Sequence, residues 1–194
     1  MNFRLQKAGI LNPENKINFL FNGKSFSGLA GDTLASALLA NGQHLVARSF
    51  KYHRPRGIFT AGTEEPSALL QIGTGIWKEP NTKATTIELY ENLVAKSQNH
   101  LGSLKIDLMQ INDLLSPFLS AGFYYKTFMW PKSFWEKLYE PIIRKAAGLG
   151  SLPKNADQSI YDKGFLHCDV LIIGSGLSGL ISTLISARSG AKVI

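Results

Sequence analysis

The spacing of apolar residues follows two different periods in the first part of the chain. In the stretch KINFLFNGKSFSG, apolar residues at positions 17, 19 and 21 precede an Asn-Gly pair at 22–23. An alternating run that ends in Asn-Gly predicts a β-hairpin, because both turn residues accept a positive φ. The next segment, GDTLASALLANG, follows the helical period. Asp32 or Thr33 can cap its first turn, and the Asn-Gly pair at 41–42 can end the helix.

A hairpin followed by a helix is how a small β-grasp domain begins. Two later apolar runs, ALLQI (Ala68–Ile72) and ATTIELY (Ala84–Tyr90), predict strands that complete its sheet. We therefore expect an α+β domain over residues 1–100, and this domain contains no cysteine.

The pattern is less regular beyond residue 100. A helix is predicted over about 133–147, bent at Pro141 and ended by Gly148 and Gly150. Its expected buried stripe consists of Trp135, Leu138, Ile142 and Ile143. The polar, turn-rich segment 151–164 predicts a linker. Residues 101–164 are thus interpreted as an aromatic-rich helical connector and linker.

The last segment, DVLIIGSGLSGLISTLISARSGAKVI, has the pattern of a strand, a glycine turn, a helix and the beginning of a second strand. Val170–Ile173 form the predicted buried strand, and the helix runs over Leu177–Ser189 before Gly190. The glycines at 174, 176 and 179 match G-x-G-x-x-G. In that pattern the first glycine permits the turn, the second lets the backbone approach a pyrophosphate, and the third allows close packing of helix and strand.

This motif predicts a dinucleotide site in which N–H groups at the start of the helix face the phosphates. Its residues are Gly174, Ser175, Gly176, Leu177, Ser178 and Gly179. The acidic residue that would hold the ribose falls at or just past Ile194, so NAD and FAD are both open on the pattern alone. The expected fold class is α+β followed by α/β: a β-grasp domain, then a truncated Rossmann-type βαβ start at 165–194.

A strand, a helix and a stub cannot close a doubly wound sheet, because the first strand would stay uncovered. We therefore expect the 194 residues to be an N-terminal portion of a longer polypeptide. We also expect that this chain alone binds a dinucleotide with millimolar affinity or weaker.

The composition, 44% hydrophobic and 18% charged, is that of a globular protein. The single cysteine, Cys168, excludes an intramolecular disulfide and a thiolate-built iron–sulfur or zinc site. The N-terminus lacks the apolar core of a secretory signal, and a cytoplasmic location is expected. The uncharged run Val170–Ala187 has the length of a membrane span, but glycines and Ser/Thr residues dilute it. We predict that it does not enter a membrane.

The net charge of +7 is compatible with an anionic partner. Between Thr33 and Thr63 there is no acidic residue, and this region carries His53 and a group of cations that we call the basic loop: Arg48, Lys51, Arg54 and Arg56. An unopposed cationic loop predicts contact with an acidic partner surface or with a cofactor phosphate; a merely solvated loop is the alternative.

Other candidate chemistry is sparse. The aromatic cluster FYYKTFMWP (Phe123–Pro131) favours a seam between domains over a surface that stacks nucleic-acid bases. The four histidines lack metal-ligand spacing, and no residue has the setting of a catalytic acid, base or nucleophile. We therefore predict no catalytic residue, no metal ligand and no nucleic-acid partner.

Five long blocks follow one another along the chain: RSFKYHRPRGIFTAGTEEPSALLQIG (Arg48–Gly73), PNTKATTIELYENLVAKSQN (Pro80–Asn99), SPFLSAGFYYKTFMWP (Ser116–Pro131), YEPIIRKAAGLGSLP (Tyr139–Pro153) and HCDVLIIGSGLSGL (His167–Leu180). Together they resemble the N-terminal part of the α subunits of heterotetrameric sarcosine oxidases. The resemblance covers nearly the whole chain after residue 16.

This resemblance implies a ferredoxin-like β-grasp domain followed by an NAD-binding domain, with Gly174, Gly176 and Gly179 at the NAD phosphates. It also implies a flavoenzyme complex with β, γ and δ subunits that oxidises sarcosine to glycine with O2. Such a complex passes the methyl carbon to tetrahydrofolate, releases H2O2, and holds FAD in its β subunit and FMN at the α–β boundary. Related oxidoreductase subunits carry cluster-binding cysteines, whereas GIFTAGTEEPSALL has none.

The chain itself is expected to be inactive outside such a complex. A homologous subunit of another amine or imino-acid dehydrogenase remains an alternative, as does a non-catalytic basic binding module.

Overall fold

The computed structural model of the chain describes residues 3–5, 9–119, 121–123, 128 and 130–194. The chain divides into two compact units, Met1–Asp157 and Gln158–Ile194. The first unit contains a mixed five-stranded sheet, and the second contains one long helix with a short parallel pairing.

The sheet has the strand order β2-β1-β7-β5-β6. The strands, numbered along the chain, are β1 (Lys16–Phe21), β2 (Lys24–Leu29), β3 (Ala47–Arg48), β4 (Pro55–Arg56), β5 (Leu69–Ile72), β6 (Glu79–Lys83) and β7 (Leu93–Ser97). β1 pairs parallel with β7, whereas the other pairs of the sheet are antiparallel. β3 and β4 form a separate antiparallel ribbon.

The predicted hairpin and helix are confirmed. Asn22 and Gly23 join β1 to β2 with φ values of 50° and 77°. Helix α1 (Leu34–Ala40) begins at the Thr33 cap, whose side chain accepts the Ser36 N–H. Its apolar face packs with the sheet into one core, whose largest buried side chains include Phe19, Phe21, Leu34, Leu38, Leu70 and Leu93. The β-grasp arrangement of the first unit is therefore confirmed.

The strand predicted at Ala84–Tyr90 is wrong, although the one at Ala68–Ile72 is confirmed as β5. The strands that complete the sheet flank Ala84–Tyr90, as β6 before it and β7 after it. The segment itself crosses the start of α1, where the Ala84 and Ile87 carbonyls accept the N–H groups of residues 35 and 34. Two backbone carbonyls of this segment thus bond to the start of α1, and the Ala84 N–H donates to the Ala68 carbonyl beside β5.

In the described part of the connector, the helical segments are short. These are a 3-10 turn at Leu108–Gln110, α2 (Ile111–Leu114), a π-helical turn at Trp135–Tyr139 and α3 (Glu140–Ala146). The predicted helix is confirmed in position, with Gly148 following it at a φ of 66°. The predicted buried stripe is wrong, because Leu138 and Ile142 are 44% and 57% exposed. Pro141 lies in the first turn of α3, where proline is tolerated.

The aromatic cluster Phe123–Pro131 lies partly outside the described residues, which omit 124–127 and 129. Within the described part, the ring of Phe128 is 6.1 Å from that of Phe123 and 5.1 Å from that of Tyr139, while Trp130 is exposed. The domain seam predicted for this cluster stays a prediction.

In the second unit, helix α4 (Leu177–Arg188) confirms the predicted helix. The predicted buried strand Val170–Ile173 is wrong in extent and burial: it makes one parallel bridge, from Val170 to Val193, and Leu171 and Ile173 are exposed. Its backbone hydrogen bonds within the described residues of this unit run to segment 192–194. Every helix in the described ranges is too short or too polar to span a bilayer.

Candidate functional site

The predicted dinucleotide turn lies between the parallel bridge and the first turn of α4. Gly174 has a φ of 108°, a conformation that favours glycine. Gly176 is the residue before the helix, with a φ of −70° and ψ of 176°, so the helix starts at Leu177. Ser175 precedes Gly176, Ser178 lies two residues after it, and both serines are exposed.

The third glycine of the motif has a packing reason. A Cβ built on Gly179 would lie 2.0 Å from the Gly174 carbonyl oxygen, closer than any side chain tolerates. By contrast, a Cβ built on Gly174 or Gly176 meets no atom within 4 Å. The turn therefore presents open backbone at its first two glycines and tight packing at its third, which is the distribution that a phosphate-binding turn requires.

The basic loop has a different setting from the one predicted. Arg48 is 4% exposed, and its guanidinium donates to the Leu104 and Lys105 carbonyls at 2.7 Å and to the His53 carbonyl at 3.0 Å. The predicted absence of opposing groups is wrong, because the connector supplies acceptors from 50 to 60 residues away in sequence.

His53 and Asp107 form a buried pair beside Arg48. His53 Nδ1 lies 2.6 Å from Asp107 Oδ2, and Nε2 lies 3.1 Å from the Ala146 carbonyl oxygen. A carbonyl only accepts, and Asp107 Oδ1 also accepts from the Leu101 and Met109 N–H groups. This pair joins the basic loop to the connector.

Arg54 is paired on the surface. Its guanidinium donates to Asp113 Oδ1 at 2.6–2.7 Å, and that hydrogen bond and the Asp113 charge raise the pKa of Arg54. Lys51 lies over the rings of Tyr52 and Phe123, at 4.9 and 5.3 Å. Arg56 is exposed on β4, and its side chain makes no hydrogen bond or ion pair with any residue that the structure describes.

A buried carboxylate that the sequence pattern does not reveal lies within the loop between β4 and β5. Glu65 is 1% exposed, and its carboxylate accepts from the N–H groups of Phe59, Thr60, Ser67 and Ala68 at 2.7–3.1 Å. Burial raises the pKa of Glu65, but these N–H donors outweigh it and hold the pKa below its ordinary value. Glu65 directly follows Glu64, and nothing in the sequence separates a buried glutamate from its exposed neighbour.

Comparison with known proteins adds the family context. Residues 14–100 match the family described as a 2Fe-2S iron-sulfur cluster binding domain. The sarcosine oxidase subunit alpha of Rhizobium meliloti (strain 1021) is 58% identical over 192 residues, which is 99% of this chain and 20% of that protein. The subunit of the same name from Corynebacterium sp. (strain U-96) is 31% identical over 97% of this chain and 15% of its own length.

This chain is homologous to part of the sarcosine oxidase alpha subunits. The resemblance predicted from the sequence is thus confirmed. The chain spans about a fifth or less of the length of these alpha subunits. A crystal structure of L-proline dehydrogenase from P. horikoshii also matches 43% of this chain and 16% of its own length, at 26% identity and a TM-score of 0.36.

An iron–sulfur cluster does not fit the residues of this sarcosine oxidase alpha homologue. Residues 14–100 contain no cysteine, and Cys168, the only one in the sequence, lies in the second unit. A 2Fe-2S cluster needs four thiolate or imidazole ligands. The described residues also hold no group of three His, Cys, Asp or Glu side chains placed to bind a metal ion. The fold of a cluster-binding domain is therefore present without its ligand set.

Proposed function

We propose that this chain forms the N-terminal part of an alpha subunit of a heterotetrameric sarcosine oxidase. Its identity of 58% to a named alpha subunit, over 99% of the chain, is the observation that supports this assignment most strongly. The proposed complex contains β, γ and δ subunits and oxidises sarcosine to glycine. O2 is its electron acceptor, and tetrahydrofolate takes the methyl carbon. FAD belongs to the β subunit, and FMN lies at the α–β boundary.

Within that complex, the β-grasp unit serves as a scaffold, and the glycine turn begins a Rossmann-type βαβ site for NAD. A bound NAD supplies a nicotinamide ring that can accept a hydride. The proposed role of this chain's residues is binding: the open backbone at Gly174 and Gly176 admits the pyrophosphate, and the first N–H groups of α4 donate to it. The turn carries no carboxylate, imidazole, thiol or amine side chain, and we assign no catalytic residue to the chain.

The activity is tested in the full-length alpha subunit that contains this chain, produced together with its partner subunits. We expect H2O2 formation that depends on sarcosine, and transfer of the methyl carbon when tetrahydrofolate is present. Proline serves as the competing substrate, because a related imino-acid dehydrogenase is the alternative. A complex that oxidises proline and not sarcosine would assign the chain to that alternative.

The NAD site is tested by three glycine-to-alanine variants of the same complex. Gly176→Ala keeps an allowed φ and meets no neighbour, so we expect an unchanged fold but at least a tenfold loss of NAD, because the methyl group occupies the phosphate approach. Gly164→Ala is the matched control, since a Cβ there also meets nothing. Gly179→Ala should disturb the turn itself. NAD released on denaturation is the measurement, and full NAD content in Gly176→Ala would reject the site.

A further inference from the structure

The basic loop lines one side of a surface cleft of about 350 Å³. It lies between β3, β4 and the loop that follows β4, and its rim carries Arg56, Phe50, Phe59 and Pro66. Phe59 is 82% exposed and Phe50 44%. The cleft thus places one arginine beside two exposed phenylalanines, and arginine and aromatic residues are enriched among the side chains that dominate binding energy at protein interfaces.

The backbone on both sides of this cleft is held by buried charges. On one side, Arg48 is fixed by the Leu104 and Lys105 carbonyls, and the Arg56 carbonyl accepts the Val46 N–H at 3.0 Å. On the other side, the buried Glu65 carboxylate fixes the Phe59 N–H at 2.8 Å. The exposed side chains are thus presented on a pre-organised backbone, which lowers the entropy lost when a partner binds.

The charge of the cleft favours an acidic partner. The lining includes two arginines, and no carboxylate lines it among the described residues. Of the basic loop, Arg48 and Arg54 have acceptors within the chain and Lys51 lies over two rings, whereas Arg56 has no acceptor in the described part of the chain. Arg56 is therefore available to pair with a carboxylate from another molecule.

A phosphate ligand fits the cleft less well than a protein surface does. Phosphate sites are built from several free N–H donors. Here the N–H groups of Phe59 and Ser67, which border the cleft, already donate to Glu65. The polar group still available in the cleft is the Arg56 guanidinium, and apolar side chains lie on both sides of it. A partner surface with a carboxylate next to an apolar side chain is complementary to this arrangement.

We propose that the cleft formed by Phe50, Arg56, Phe59 and Pro66 is a docking site for another protein subunit, which inserts an apolar side chain between the phenylalanines and pairs a carboxylate with Arg56. The inference rests on the proposed function in one respect: the partner is one of the subunits that assemble with the alpha subunit.

The test uses the full-length alpha subunit and measures its association with the partner subunits. We expect Arg56→Glu and Phe59→Ser each to weaken assembly at least tenfold. Arg56→Glu places a negative charge opposite the partner's carboxylate, and Phe59→Ser removes an aromatic side chain from the contact. Arg56→Lys, which keeps the charge, should retain more affinity than Arg56→Glu. Raising the salt concentration should weaken wild-type assembly more than that of the Arg56→Glu variant.

Matched controls separate this site from a general loss of charge or apolar surface. Lys24→Glu reverses an exposed charge in the β1–β2 hairpin, and Ile106→Ser removes an exposed apolar side chain elsewhere on the unit. Both should assemble like the wild type. Thermal unfolding of each alpha variant, measured alone, should match the wild type because neither Arg56 nor Phe59 has a buried side chain.

Three results would overturn the proposal. Wild-type affinity in both Arg56→Glu and Phe59→Ser would show that no subunit uses the cleft. Lower thermal stability of these variants alone, with unchanged assembly, would show that another part of the same polypeptide fills it. Unchanged assembly with weaker retention on immobilised phosphate would point to an anion ligand. Sarcosine oxidation by the wild-type complex is read separately, so failure of the docking site and failure of the proposed activity are distinguishable.

Discussion

Glu65 shows how one buried carboxylate can organise a loop. Its two oxygens accept four backbone N–H groups from both ends of the segment Phe59–Ala68, and Thr60 Oγ1 is 3.3 Å from one of them. A loop closed in this way needs no apolar core of its own, because each buried donor has a charged acceptor.

Replacing this carboxylate should be costly. In Glu65→Gln, one of the two acceptor oxygens becomes an NH2 group. The two backbone N–H groups that donate to that oxygen then face another donor and lose their acceptor. We expect the free energy of unfolding to fall by about 2–4 kcal/mol. Glu64→Gln is the matched control, because Glu64 is exposed, and it should change the value by less than about 0.5 kcal/mol. Urea unfolding of both variants is the measurement, and equal midpoints would refute this role of Glu65.

At the scale of elements, the parallel pair β1–β7 depends on the hairpin turn as well as on its own ladder. Asn22 Nδ2 donates to Ser97 Oγ at 2.9 Å, and the Ser97 N–H donates to Asn22 Oδ1 at 2.9 Å. One residue thus supplies the left-handed turn of the hairpin and a side-chain connection to a strand residue 75 positions later.

Two substitutions separate these contributions of Asn22. Asn22→Gly keeps the positive φ and loses the side-chain bonds, so we expect a loss of about 1–2 kcal/mol in stability. Asn22→Ala loses the same bonds and must also adopt a φ of 50°, which should cost about 1 kcal/mol more. The two midpoints in urea unfolding are compared directly. Equal midpoints would mean that turn conformation contributes nothing.

The hairpin, α1 and α4 could be predicted because their signals are local: an Asn-Gly pair, a Thr cap and glycine punctuation. β6 could not, since its sequence EPNTK has no strand-forming residue pattern, and its strand state depends on pairing with β5. The apolar run at Ala84–Tyr90 has a stronger strand pattern than β6. Two of its carbonyls nevertheless accept N–H groups from the start of α1. Tertiary contacts decided both cases.

At the scale of the whole molecule, the basic loop shows the same limit for charges. The acceptors of Arg48 lie in the connector, at Leu104 and Lys105, and the carboxylate that faces Arg54 is Asp113. A count of acidic residues within the loop could not reveal these partners, because folding brings them from beyond the end of the sheet. The glycine turn, by contrast, was placed correctly before a helix by local spacing alone.

Two buried carboxylates in separate parts of the first unit give it a common response to acid. Burial raises the pKa of Asp107, but N–H donors from Leu101 and Met109 and the contact with His53 together hold it below its ordinary value. Glu65 is shifted in the same direction. A carboxyl group whose pKa is lower in the folded chain binds fewer protons there than in the unfolded chain. Its contribution to stability is therefore complete at neutral pH and is lost as the pH falls.

We thus expect the free energy of unfolding to be steady near neutral pH and to decrease as the pH falls below about 5, where unfolded Asp and Glu side chains begin to take up protons. Asp107→Asn and Glu65→Gln should each flatten this decrease, because each removes one group that titrates differently in the two states. Urea unfolding across the acid range gives the slopes, with Glu64→Gln as the control that should keep the wild-type slope. A wild-type slope in both Asp107→Asn and Glu65→Gln would show that other carboxyl groups govern the acid response, since the slope measures the protons taken up on unfolding.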